Sequence, residues 1–139
     1  MARLLGFSSE LQSVVAGMEW VTGVNGTPVI ETTTKRSGAA AIRINNTGAA
    51  ENVEHLFRAA GTQGPAFIRA YINIVALPTG NRPILRFRNG ATQLIGVRLT
   101  SAGVLQFWNE EDSTQIGADS YTLSTATWYR VDVYADTTT

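Results

Sequence analysis

Between Leu94 and Asn109 apolar and polar side chains alternate along two runs that meet at a compact turn, and this pattern predicts a β-hairpin. Ile95, Val97 and Leu99 fall on one face of the first run, with Leu94, Gly96 and Arg98 on the other. On the return run Leu105 and Phe107 alternate with Gln106 and Trp108. The linking Thr100-Ser101-Ala102-Gly103 suits a type I turn closed by a glycine at positive φ in a G1 bulge.

The same period of two recurs along the chain. Short strands are predicted at Leu4 to Phe7, Pro28 to Thr33, Ala39 to Asn45, Asn52 to Arg58 and Arg82 to Arg88. The longest, Pro65 to Leu77, places Ile68, Ala70, Ile72 and Ile74 opposite Phe67, Arg69, Tyr71 and Asn73. In Arg82 to Arg88, Leu85 and Phe87 stand opposite Ile84, Arg86 and Arg88. Further short strands are expected at Gln115 to Gly117 and Ser120 to Leu123. The last, Trp128 to Ala135, sets Tyr129, Val131 and Val133 against Arg130, Asp132 and Tyr134. Leu11, Val14, Val15 and Met18 follow helical spacing, but Gly17 and the β-rich Met18-Glu19-Trp20-Val21 cut that pattern off. Some ten short strands divided by Gly, Pro and Asn turns predict an all-β fold, an antiparallel sandwich of two sheets. With 139 residues and 44% apolar content, one domain spanning residues 1–139 is expected, burying roughly two thirds of its unfolded surface.

Charge narrows the function. Eleven basic and eleven acidic residues balance, which gives no bulk attraction to nucleic acid or to an anionic membrane. No apolar run reaches the length of a membrane span, and Met1 to Gln12 lacks the pattern of a secretory signal. Cysteine is absent and histidine occurs once, so thiolate and most zinc sites are excluded, and neither metal nor cofactor is expected. Ten of the eleven basic residues are Arg, a bias that fits either protein contact surfaces or the base composition of the gene.

Several segments occur in an order that resembles the concanavalin A-like, laminin-G-like jelly rolls, particularly those of bacteriophage virion proteins. They are Leu5-Gly6-Phe7, Arg36-Ser37-Gly38 before an Ala-Ile-Arg-Ile strand, Phe67-Ile68-Arg69-Ala70-Tyr71, the Leu77-Pro78 stop, Leu99 to Leu105, and Thr127-Trp128-Tyr129-Arg130-Val131. The usual Gly-Phe-Glu opening is Gly-Phe-Ser here. Members of that family normally continue past the Trp-Tyr strand with another hairpin, whereas this sequence stops at Asp136-Thr137-Thr138-Thr139. The resemblance therefore implies either C-terminal truncation or pairing supplied by a partner, and an uncovered edge in the chain as given. It also implies a virion protein made in the host cytoplasm, a capsid decoration or tail component. A carbohydrate-binding module is the alternative.

No catalytic constellation is read from the residues. Glu110-Glu111-Asp112 is expected to be a solvated turn with diverging side chains, or a weak calcium site, and not the paired carboxylates of a glycosidase. His55 is expected to be structural. Binding candidates are Arg69, Tyr71 and Trp108, outward-facing residues of the kind that grip a host-surface glycan or a protein. Arg86, Arg88, Arg98 and Arg130 also alternate outward and are candidates for contact with identical subunits or other virion proteins.

Overall fold

The computed structural model describes residues 20–22, 29–44, 55–57, 66–89 and 92–135. Among them there is no helix, and every strand pair is antiparallel. The expected strand at Leu4 to Phe7 and the helical spacing before Met18 lie outside the described residues. The chain divides into two compact units, Met1–Gly64 and Pro65–Thr139.

In the first unit β1 (Trp20–Thr22) pairs with β4 (His55–Phe57), and β2 (Val29–Glu31) pairs with β3 (Ala41–Arg43). The His55 side chain lies outside the described residues. The β2–β3 connection starts with Glu31, whose Oε1 accepts the backbone N–H groups of Thr33 (2.7 Å) and Thr34 (3.2 Å). These two bonds, with the Arg43 guanidinium at 3.5 Å, hold the Glu31 carboxyl below its usual pKa. Gly38 takes a φ of 72° in this turn.

The second unit contains two sheets. β5 (Ala66–Asn73) and β10 (Trp128–Ala135) form an unbroken eight-residue ladder. β6 (Arg82–Asn89), β7 (Thr92–Leu99), β8 (Leu105–Asn109) and β9 (Thr114–Ile116) follow one another as a meander. Ile74 after β5, Leu99 at the end of β7 and Leu123 are each at most 6% exposed and meet in one cluster, with Ile84, Leu105 and Tyr129 packed around it. Beside them Val97, Leu105 and Phe107 of one sheet and Val131 to Tyr134 of the other line an open pocket of about 300 Å³. The unit is therefore two antiparallel sheets whose apolar faces meet, as the alternation in β5, β7, β8 and β10 predicts.

The β7–β8 turn is built as expected. Gly103 takes φ 79°, its N–H donates to Thr100 O at 3.0 Å, and Thr100 N–H donates to Val104 O at 3.0 Å. Two expectations need correction. Ile84 packs on the core and does not face away from it, because β6 shifts register between Pro83 and Leu85, and an extra residue there turns the following side chains. Ser120 to Leu123 is not a strand. It lies along β8 through isolated bonds, Ser120 N–H to Leu105 O (2.9 Å) and Leu105 N–H to Ser120 Oγ (2.8 Å), so the hydroxyl takes the place of a ladder carbonyl.

Candidate functional site

With apolar residues of β5 and β10 turned inward, the alternate residues form an outer face. Ladder register places Phe67 opposite Tyr134, Arg69 opposite Asp132, and Tyr71 opposite Arg130. Phe67, Tyr71 and Tyr134 are 46%, 41% and 55% exposed. Such rings on a solvated sheet face are the informative exception to apolar burial. Arg69 grips Asp132 with two bonds, Nε to Oδ1 at 2.8 Å and Nη2 to Oδ2 at 3.3 Å. Arg130 Nε lies 3.3 Å from the same carboxylate, and the Arg69 guanidinium sits 5.6 Å from the centre of the Phe67 ring. Two guanidiniums thus share one carboxylate among three rings, which leaves this face with one net positive charge.

The hydrogen bond from Arg69 holds the Asp132 carboxyl below its ordinary 3.8, and Asp132 in turn raises Arg69. Since the folded pKa is the lower one, the pair's contribution is full above the unfolded value and is lost as pH falls through the folded value. Asp132→Asn should accordingly be less stable than wild type at neutral pH and converge with it as pH falls through the lowered pKa of Asp132, as urea midpoints measured from neutral to acid pH would read. Both groups are exposed, so solvent screening keeps this effect small.

The outer face of the β6–β9 sheet is organised differently. Cross-strand register runs Arg86, Gly96, Trp108, Gln115 in one row and pairs Arg98 with Gln106 in the next. Glu110 leaves β8 and turns back over Gly96, where a Cβ would lie 2.1 Å from its Oε1. Its carboxylate takes both Nε (3.1 Å) and Nη2 of Arg98 and lies 3.9 Å from Arg86 Nε. The Arg98 guanidinium also stacks 4.1 Å over the Trp108 ring. The Glu110 side chain is 3% exposed. Glu110 is thus a buried ion-pair anchor and not part of a solvated turn, while Glu111 and Asp112 are exposed as expected. Beyond this cluster Trp108 Nε1 donates to Gln106 Oε1 (3.1 Å), and Gln106 and Gln115 both donate to Asp119 Oδ1.

The structure therefore separates residues that the sequence grouped by their outward direction. Arg69, Tyr71 and Arg130 share the β5–β10 face, whereas Trp108, Arg86 and Arg98 stand on the other sheet, with Arg86 and Arg98 turned onto Glu110. Arg88 is exposed on β6 just past a second register shift. Phe67 and Tyr134 carry no mark in the sequence beyond the alternation of β5 and β10, which sets them beside Arg69 and Tyr71. Among the described residues no three His, Cys, Asp or Glu side chains converge as metal ligands, and no helix is long and apolar enough to cross a membrane. Comparison with known proteins brings no match, whether to a family model, a curated protein or a solved structure.

Proposed function

We propose that this chain is a non-catalytic jelly-roll component of a bacteriophage virion, a capsid decoration or tail protein, that assembles through the outer face of β5 and β10. The observation that carries the docking part is the row of exposed Phe67, Tyr71 and Tyr134 around Arg69, Asp132 and Arg130. Aromatic rings and arginines are the side chains that contribute most at protein interfaces, because they bury large area at low entropic cost and arginine desolvates readily. Support for the virion assignment is the ordered resemblance running from Leu5-Gly6-Phe7 to Trp128-Tyr129-Arg130. Against enzymatic acid–base work, the carboxylates of Glu31, Glu110 and Asp132 are each committed to an arginine.

The test is incorporation. Particles banded on a density gradient should carry the wild-type chain, and Tyr134→Ala should lower its occupancy by about tenfold or more, the loss expected for an anchor aromatic. A chain found only in the soluble fraction would sink the proposal. The hydrogen-bonded group of Trp108, Gln106, Gln115 and Asp119 favours a second reading, attachment to a host glycan, since planar amides, a carboxylate and an indole suit sugar hydroxyls and ring faces. Glycan-array binding that is lost in Gln115→Ala but kept in Tyr134→Ala would move the assignment to it.

A further inference from the structure

The chain presents, on separate surfaces, two features of opposite charge. One is the β5–β10 face, where Arg69 and Arg130, with side chains 50% and 57% exposed, share the single carboxylate of Asp132. The other is the tip of the β8–β9 turn, where Glu111 and Asp112 are both exposed. The tip is held in one shape from two sides. Asn109 Oδ1 accepts the N–H groups of Glu111 (3.1 Å) and Asp112 (3.3 Å), and its Nδ2 donates to Asp112 Oδ2 at 2.7 Å. Beneath it Glu110 is clamped to Arg98 over Gly96. A turn ordered before contact loses little entropy when it docks.

We propose that Glu111 and Asp112 of one copy dock against Arg69 and Arg130 of a second copy, in a head-to-tail contact ringed by Phe67, Tyr71 and Tyr134. This inference rests on the reading of the β5–β10 face as a protein-docking surface and names its occupant. Charge complementarity selects that occupant, because the face carries a surplus cation and the tip two carboxylates. The face is the side of β5 and β10 opposite the one that packs toward the four-stranded sheet, and the turn belongs to that sheet. The surrounding rings exclude water, which strengthens ion pairs that would be weak on an open surface. Contact between two different patches is heterologous, and its repetition closes a ring or extends a filament, the geometry of a shell or tube.

Sedimentation velocity across a concentration series tests it. Wild type should self-associate, less so at about 0.5 M salt, where charges are screened within a few Å. Arg130→Glu and Glu111→Arg should each weaken association by about tenfold or more, and an equimolar mixture of the two should recover it, because each reversed patch then meets its complement. Both side chains are exposed, and a cooperative melt like that of wild type confirms each variant's fold. A wild type that stays monomeric at about 0.5 mM, well above typical interface dissociation constants, overturns the contact, as does a mixture that fails to associate. Should the monomeric chain still enter particles, and Tyr134→Ala still fail to, the face docks on another virion protein and only the self-contact falls.

Discussion

Gly96→Ala is expected to destabilise the protein by about 3 kcal/mol, near the lower end of what breaking a buried ion pair costs. A Cβ at this position would stand 2.1 Å from Glu110 Oε1 and 2.9 Å from its Cδ, so the carboxylate cannot keep its seat. Once it is displaced, Arg98 and Arg86, with side chains only 22% and 13% exposed, lose this carboxylate as a counter-charge. The lower end is expected because the Arg98 head is near enough to water to be rehydrated in part. Glu110→Ala removes the same interaction from the other side and should cost a similar amount. The two changes together should cost little more than either alone, since they abolish one contact twice. Fully additive losses in urea unfolding would show that Gly96 serves something other than the carboxylate above it.

Leu99→Ala should cost about 3 kcal/mol as well, within the range of roughly 2 to 5 for a buried leucine. Leu99 is 6% exposed and packs with Ile74 from β5's end and Leu123, so its removal opens a void where the two sheets meet. By contrast Val75→Ala, at a residue 61% exposed, should stay within about 0.5 kcal/mol of wild type. Equal losses at both positions would place the core elsewhere.

Alternation made the hairpin from β7 to β8 legible, along with the inward and outward residues of β5 and β10, because a period of two needs nothing beyond nearest neighbours. It could not tell which sheet a strand joins. Tyr71 and Trp108 each point outward, yet from different sheets, because alternation fixes a direction relative to a residue's own strand and not the surface it joins. Glu110 was hidden for a related reason. Three consecutive acidic residues read as a solvated turn, and only the antiparallel register of β7 with β8 brings the first of them over a glycine and between two arginines. The available signal was Gly96 itself, a lone glycine inside a strand pattern, which marks a place where something approaches the backbone closely. The bulge that turns Ile84 inward left no such mark beyond the proline beside it.

The ladder between β5 and β10 joins residues 66–73 to residues 128–135, whereas β6 to β9 are joined by successive neighbours. Meander hairpins close short loops, but the ladder must bring together segments separated by the whole meander, at a larger entropic cost that is recovered only after its side chains find the core. The order of events in folding follows from this. Contact order thus predicts that the four-stranded sheet forms first and that β5 and β10 pair late, which pulse-labelled amide exchange during refolding would read as later protection of residues 66–73 and 128–135. On that order the surface bearing Arg69, Tyr71 and Tyr134 comes into existence only when the rest of the unit is complete, so under the proposed assembly role a half-folded chain would present no face with which to join a particle prematurely.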